Sequence, residues 1–163
     1  MDEIKCSFPP VVDDRTRVLV LGSLPGEESL ARRQYYGNPR NHFWRLMSEV
    51  IGVDLVPLAY DERLRALLGA KVGLWDTVGA AIRRGSLDGA IRGHQANALP
   101  ELVARLASLR AVGFNGGKSA TLGMKQLADE QRLALIALPS SSPAYTLPFE
   151  AKREAWLRLR AFL

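Results

Sequence analysis

Four short apolar runs, separated by segments of helical periodicity, constrain the fold of this chain more than any other feature. The runs lie at residues 17–21, 71–75, 109–114 and 132–138. Each is short enough for a buried strand and too short for a typical helix. Because strands alternate with helices, we expect right-handed βαβ units. The pattern therefore predicts an α/β fold, a three-layer α/β/α sandwich with a central, mostly parallel four-stranded sheet.

The segments between and after these strands have apolar residues at helical spacing. The predicted helices cover residues 41–51, 62–68, 99–109, 117–129 and 149–163. We expect the residues before Arg17 to form an irregular lead-in. Two long loops remain, at residues 24–41 and 78–97, and loops of that length in a compact domain are usually functional. The length fits a single domain over residues 1–163.

Charge and composition exclude several classes of protein. The chain has 22 basic and 17 acidic residues, a net charge of +5 that favours a polyanionic partner without identifying it. Cys6 is the only cysteine and the two histidines lie far apart, so we expect no disulfide, no metal and no other cofactor. No stretch approaches the roughly 18 apolar residues of a membrane span, which indicates a cytoplasmic protein without a membrane partner.

Unusual polar residues follow each of the predicted strands directly. Residues 22–26 (GSLPG) follow the first strand and lead into an aromatic and amide-rich loop at residues 34–44. Asp76 follows the second strand, residues 115–119 the third, and residues 139–145 the fourth. Open α/β sheets bind ligands at the carboxyl ends of their strands. We therefore expect these segments to converge on one site.

The loop after the first strand suits the binding of a nucleobase. Tyr35 and Tyr36 adjoin a polar Asn-Pro-Arg-Asn segment, and we expect at least one of the two rings to stack on a planar ligand. Asn41 has two compatible roles, as the N-cap of the next helix and as a chemical group. Asp76 either caps a turn or contacts the ligand.

The segment after the third strand is similar to the end of a phosphate-binding P-loop. Residues 117–119 read Gly-Lys-Ser, but Val112 stands where the motif needs a glycine, so the motif fails. We expect instead that the helix N-terminus at residues 116–119 binds a single phosphate.

The remaining polar groups have a structural and a functional interpretation. The serines at residues 140–142 form either a rigid connection between prolines or a loop that approaches a DNA backbone closely. Two basic sets are predicted to be solvated faces of the protein. They are Arg83 and Arg84, and Lys152, Arg153, Arg158 and Arg160.

Taken together, these motifs resemble those of the uracil-DNA glycosylase superfamily, and within it the hypoxanthine (deoxyinosine) DNA glycosylase branch. The resemblance rests on residues 22–26 with 35–44, on residues 138–144 (LPSSSPA), and on residues 74–76 and 115–119 between them. It spans most of the chain. It implies a base-excision repair enzyme that hydrolyses the N-glycosidic bond of a flipped deaminated base in DNA, without a cofactor. A monomer is expected, because such an enzyme needs one continuous face for DNA.

Two positions depart from the pattern of the superfamily. Many members place an Asn or Asp in the first motif to position the attacking water, where this chain has Leu24. Others begin the second motif with a His that stabilises the departing base, where this chain has Leu138. The resemblance to the hypoxanthine branch implies that a catalytic asparagine lies in the loop at residues 36–41. We favour Asn41 over Asn38.

The resemblance also assigns roles to the other residues of the motif loops. The base-binding residues are Gly22, Ser23, Tyr36, Asp76 and Asn115, with Asp76 accepting from the ring N–H of hypoxanthine or uracil. The DNA-binding residues are Lys118, Ser140, Ser141, Ser142 and Tyr145. Tyr145 or Leu147 would fill the stack that the base vacates. No lysine stands at an obvious Schiff-base position, so strand cleavage is not expected.

Two other functions fit parts of the sequence. A non-catalytic nucleic-acid-binding module of the same fold would explain Leu24 in place of the water-positioning group. A small serine hydrolase would use one of the serines at 140–142 with His42 or His94, although no Gly-x-Ser-x-Gly elbow is present.

Overall fold

The computed structural model describes residues 3–163, which form seven strands and six α-helices. The strands are β1 (Ile4–Cys6), β2 (Val18–Gly22), β3 (Val72–Asp76), β4 (Val78–Ile82), β5 (Arg92–Ala96), β6 (Ala111–Asn115) and β7 (Ala134–Leu138). The helices are α1 (Glu27–Arg32), α2 (Phe43–Ile51), α3 (Tyr60–Gly69), α4 (Leu99–Arg105), α5 (Gly117–Gln126) and α6 (Phe149–Trp156). A 3₁₀ segment, Leu157–Phe162, continues the last helix.

The central sheet has the strand order β3-β2-β6-β7 with all neighbours parallel. Side chains of successive strand residues point to opposite faces, so Val18 and Val20 pack on α2, α3 and α6. Leu19 and Leu21 pack on the opposite side with α4 and α5. The predicted three-layer sandwich and its four parallel strands are confirmed, with boundaries shifted by one or two residues.

Two segments predicted to be irregular contain strands. Residues 4–6 form β1, and the predicted loop at residues 78–97 contains β4 and β5. These three strands make a second, antiparallel sheet in the order β1-β4-β5. All five residues of β5 are exposed and they include Arg, Gly, His and Gln. The strand is held by backbone pairing rather than by an apolar face, and therefore carries no periodic signal.

The prediction that the two basic sets are solvated faces is wrong for Arg83 and Lys152. Arg83 is 2% exposed and Lys152 is fully buried. Arg83 donates to backbone carbonyls under the β4–β5 hairpin, and Lys152 donates to the Ser142 carbonyl. A buried cation with such acceptors is a structural anchor, because the carbonyl oxygens satisfy the N–H donors that it has withdrawn from water. Arg158 and Arg160 are exposed as predicted.

None of the helices in residues 3–163 has the length and apolar character of a membrane span. In the same part of the chain, no three or more His, Cys, Asp or Glu side chains are placed to share a metal ion.

Candidate active site

The carboxyl ends of the central strands border a cavity of about 480 Å³. Its walls come from the segments that follow β2, β3, β6 and β7 and from the loop before α2. The predicted site residues that line it are Gly22, Ser23, Tyr36, Asn38, Asn41, Asp76, Asn115, Ser140, Ser141 and Ser142. Lys118 and Tyr145 do not line it. The convergence of distant segments follows from the parallel sheet, which brings the ends of its strands to one edge.

Asp76 provides an unpaired carboxyl group in the wall of the cavity. It ends β3, is 3% exposed, and its Oδ2 has no hydrogen-bond partner among the described residues. The pKa of Asp76 is raised to about 7, first by burial and second by the nearby Asp88 charge, and Arg83 opposes both effects. A buried polar atom without a partner is unfavourable unless a ligand or water satisfies it. The Asp76 carboxyl is therefore available to bind a ligand.

Gly22 makes room for the two polar groups beside it. A Cβ atom at this position would lie 2.5 Å from Asp76 Oδ1 and 3.0 Å from Tyr36 Oη. Because the Asp76 carboxyl and the Tyr36 ring are both packed in place, a side chain at residue 22 would displace them. The first glycine of the motif thus allows Asp76 and Tyr36 to converge.

Tyr36 adopts a strained backbone conformation at the cavity. Its φ is +54°, which is uncommon for an aromatic residue and typical of functional sites when the surroundings enforce it. Its ring stacks on Phe43 with centroids 3.8 Å apart, and its carbonyl accepts from Trp44 Nε1 at 3.2 Å. Since Phe43 covers one face, only the opposite face of Tyr36 can stack on a ligand. Tyr35 is 3% exposed and donates its hydroxyl to the Pro9 carbonyl, so it belongs to the core.

Asn41 and Asn38 shape the loop that closes one side of the cavity. Asn41 Oδ1 accepts from the Phe43 backbone N–H at 2.9 Å, at the start of α2. This bond orients the amide. Within residues 3–163, the donor end of Asn41, Nδ2, makes no side-chain hydrogen bond. Asn38 Oδ1 accepts from the Arg40 N–H at 3.0 Å, which makes a local turn. Both residues line the cavity.

Asn115 connects three parts of the site through its side chain. Its Nδ2 donates to Ser141 Oγ at 2.8 Å and to Tyr36 Oη at 3.3 Å. Its Oδ1 accepts from the Ser141 N–H at 2.9 Å. Both amide hydrogens are therefore used within the protein, and Asn115 positions its neighbours.

The serine loop, residues 140–142, is held by its own turns and by the elements below it. Ser140 Oγ accepts from the Ser142 N–H at 3.1 Å, and the Ser142 carbonyl accepts from Lys152 Nζ at 3.2 Å. The Ser141 carbonyl accepts from the His42 N–H at 2.9 Å. In the part of the chain described, neither His42 nor His94 bonds a serine hydroxyl through its ring. The pair that a serine hydrolase requires is therefore not assembled.

The opposite wall comes from the hairpin tip, residues 83–91 between β4 and β5. It lies in the loop at residues 78–97 that the sequence predicts to be functional, although it predicts no site residue there. Ser86, Leu87 and Asp88 line the cavity. Ser23 Oγ donates to Asp88 Oδ1 at 2.5 Å, and Arg83 lies 3.9 Å from the same oxygen. Sequence periodicity carries no signal for such a contact.

Two predicted DNA-binding residues lie outside the cavity wall. Lys118 is half-buried in the first turn of α5, which follows Gly116 with φ +94°. Tyr145 is 47% exposed, and Lys152 Nζ lies 5.6 Å from its ring centroid. Arg40, which was not among the predicted site residues, lines the cavity and is exposed.

A parallel four-stranded sandwich with a polar, amide-rich cavity at its carboxyl edge defines an α/β protein with a ligand site at the ends of its strands. The comparisons with known proteins identify the family. The family model of the uracil DNA glycosylase superfamily matches residues 9–161. The chain belongs to this superfamily.

Named relatives and a solved structure cover nearly the whole chain. A hypoxanthine DNA glycosylase of Methanosarcina barkeri is 39% identical over 93% of this chain and 95% of its own length. A hypoxanthine DNA glycosylase of Methanosarcina acetivorans is 41% identical over 86% of this chain and 88% of its own length. The solution structure of a proposed uracil DNA glycosylase from Methanosarcina acetivorans has a TM-score of 0.87, with 37% identity over 98% of this chain and 99% of that chain.

Proposed function

We propose that this protein is a monofunctional DNA glycosylase of base-excision repair that releases hypoxanthine, with uracil as a second substrate. Membership of the superfamily and the names of the two relatives support this function. The observation that carries it is the shared cavity of Tyr36, Asn41 and Asp76. Its volume of about 480 Å³ is in the ordinary range of small-ligand sites.

Asp76 distinguishes a deaminated base from its parent base. Hypoxanthine and uracil carry a hydrogen on the ring nitrogen that adenine and cytosine lack, and a carboxylate accepts that hydrogen. The unpaired Asp76 Oδ2 is the acceptor within the cavity. This contact does not separate hypoxanthine from uracil, which present the same N–H group.

Asn41 stabilises the departing base. Breaking the glycosidic bond leaves an oxocarbenium-like sugar and negative charge on the base. The Asn41 amide, oriented by its bond to the Phe43 N–H, donates to that charge through Nδ2. One oriented donor is worth about 3 kcal/mol in the transition state. Tyr36 stacks on the flipped base, and Asn115 keeps Tyr36 and Ser141 in position.

The rim of the cavity contacts the DNA backbone. Lys118, Arg40 and the serine loop bind phosphates, and Tyr145 lies against the duplex beside them. The net charge of +5 favours this association. The protein acts as a single domain, residues 1–163, as a monomer on chromosomal DNA in the cytoplasm.

The test is base release from duplexes that carry a single deoxyinosine or deoxyuridine, measured as alkali-sensitive abasic sites. The parent releases base and leaves the strand intact until alkali is added. Asn41→Ala is at least about a hundredfold slower, and Asn38→Ala, which removes an amide from the same loop, serves as the matched control. A folded parent that releases no base from any lesion refutes the proposal.

Leu24 supports one alternative, a binding module without catalysis. This side chain stands where many members of the superfamily carry a water-positioning amide, and it is 6% exposed in a small apolar cluster with Val78, Ala81 and Ile91. Here the position anchors the hairpin rather than a water. Tight binding of inosine-containing DNA with no turnover would select this alternative.

A further inference from the structure

A second cavity, of about 280 Å³, adjoins the candidate active site. The loop at residues 36–41 borders both cavities, since three of its residues line each of them. The other walls of the second cavity come from the end of α1, from α2 and from the start of α3. Three arginines line it and, within residues 3–163, no aspartate or glutamate does. We call this cavity the arginine groove, after Arg32, Arg45 and Arg63.

Arg63 is a fixed positive charge in the wall of the groove. Its Nε donates to the Leu55 carbonyl at 2.9 Å and to the Leu58 carbonyl at 3.1 Å, and its Nη2 donates to the Val56 carbonyl at 2.5 Å. Its guanidinium carbon lies 5.3 Å from the centroid of the Trp44 ring. These contacts hold the half-buried guanidinium in one place. None of them supplies a negative charge, and Arg63 makes no ion pair with any residue of 3–163.

The other two arginines are also open to an anionic ligand. The guanidinium carbon of Arg45 lies 4.0 Å from the centroid of the Phe149 ring, and Arg45 makes no ion pair in the described part of the chain. Arg32 donates to Glu28 at 2.8 Å, but both side chains are exposed, so this pair is weak and exchangeable. Guanidinium groups without a carboxylate partner favour a bound anion, and they bind phosphate through parallel hydrogen bonds.

The position and the size of the groove indicate which phosphate it binds. Arg40 lines the candidate active site and the preceding residue, Pro39, lines the groove, so the two sites meet along one loop. A DNA strand whose nucleotide enters the active site continues past this loop and takes its phosphates with it. The groove is smaller than the range of about 300–1,000 Å³ that is usual for pockets enclosing a whole small molecule. It therefore fits part of a strand better than a free nucleotide.

We propose that the arginine groove binds a backbone phosphate of the lesion strand, on one side of the flipped nucleotide. The inference rests on the proposed glycosylase function and extends it, because the strand is then held on both sides of the cavity, by the serine loop and by the groove. The net charge of +5 favours DNA binding in general, whereas the groove acts on one phosphate at a fixed distance from the lesion.

The experiment replaces single phosphates of the deoxyinosine strand by uncharged methylphosphonates, one position at a time on either side of the lesion. With the parent, a position on one flank should lower kcat/KM about tenfold at low salt, because it removes a charge-assisted contact. Arg45→Gln should lose about tenfold on the unmodified strand and nothing further at that position, since both changes remove the same contact. Arg63→Gln should behave likewise, and Arg45→Lys, which keeps the charge, should retain the response of the parent.

Arg65→Gln is the matched control. Arg65 is exposed on α3 two residues after Arg63 and does not line the groove, so its loss should leave both the rate and the position dependence unchanged. If Arg63→Gln does not fold, Arg45→Gln still decides, because the side chain of Arg45 is exposed and accepts no structural hydrogen bond. The slope of log Kd against log salt should fall by about 1 with Arg45→Gln and not with Arg65→Gln.

Two outcomes overturn the inference. One is independent losses, in which Arg45→Gln and a methylphosphonate multiply at every position. The other is stabilisation of the parent but not of Arg45→Gln by inorganic phosphate, with no effect of any methylphosphonate, which would assign the groove to a free anion. A parent that releases no base from any duplex removes the glycosylase function. The same scan, read as equilibrium binding of the lesion duplex, still decides whether the groove holds the strand.

Discussion

The two sides of the cavity are held by different kinds of interaction. The serine loop is held chiefly by a buried neutral side chain of the central sheet, Asn115, whose bonds reach Ser141 and Tyr36, and one bond from Lys152 to the Ser142 carbonyl adds to it. The hairpin tip is held by a charged group, Arg83, with Asp88 3.9 Å away and backbone carbonyls around it. One side is part of the core, whereas the other is a surface element attached to it.

This difference indicates how each side responds to a perturbation. Ser141, the main partner of Asn115, is 1% exposed, so loss of the Asn115 side chain leaves buried polar atoms of Ser141 without a partner. The partners of Arg83 lie under a hairpin that can open locally and hydrate them. We therefore expect damage to the serine loop to lower global stability, and damage to the hairpin to change local opening.

Asp76, in the wall of the same cavity, gives the largest expected effect. Its pKa is raised from 3.8 to about 7, so the folded state favours the protonated acid. The raised pKa stabilises the folded protein fully below about pH 4, and this stabilisation is lost as the pH rises to 7. Asp76→Asn removes the titration. Between pH 4 and pH 8, the free energy of unfolding of the variant should rise relative to that of the parent by on the order of 4 kcal/mol.

Urea unfolding at pH 4, 6 and 8 measures this difference for the parent and the variant. Asp129→Asn, which removes an exposed acid, is the matched control. Asp88→Asn should bring part of the same gain, because the Asp88 charge is the second cause of the raised pKa. A constant difference between Asp76→Asn and the parent across this pH range would show that Asp76 does not titrate between 4 and 7.

Asn115→Ala tests the neutral side of the comparison. The substitution removes the partners of Ser141 N–H and Oγ, both in a buried residue, so a loss of about 2–3 kcal/mol is expected. The loss should be global, seen as a lower denaturation midpoint with an unchanged slope, and independent of pH above 5. Ser140→Ala, which removes one local turn bond, should change stability by a few tenths of a kcal/mol.

The parts of the site that could be predicted from the sequence are those that follow the apolar strands. Asp76 and Gly22 were expected at one edge because the ends of parallel strands converge there, and both line the cavity. The Cβ clash at Gly22 and the missing partner of Asp76 Oδ2 could not be predicted, because both depend on side-chain placement across neighbouring strands.

The hairpin could not be predicted for a different reason. Its strand β5 has no apolar face, and its anchor Arg83 is indistinguishable in sequence from a solvated arginine. Two of the acceptors of Arg83, the Pro25 and Leu24 carbonyls, lie 58 and 59 residues earlier in the chain. Lys152 presents the same difficulty, since only the fold brings it to the Ser142 carbonyl. Long-range bonds from charged side chains to backbone leave no periodic pattern.

Arg83→Met tests the charged side and should have the smallest effect on global stability, about 1 kcal/mol or less. Methionine keeps the apolar stem but cannot donate to the Leu24 and Pro25 carbonyls, so the hairpin tip should open more often. Hydrogen exchange should quicken at the amide of Glu27, which donates to Ser86, while exchange in β2 and β6 stays slow. Arg160→Met, at an exposed position, is the control. Arg83→Met could instead lower the denaturation midpoint as far as Asn115→Ala does. The hairpin would then unfold together with the core, and the two sides of the cavity would not differ in stability as their contacts indicate.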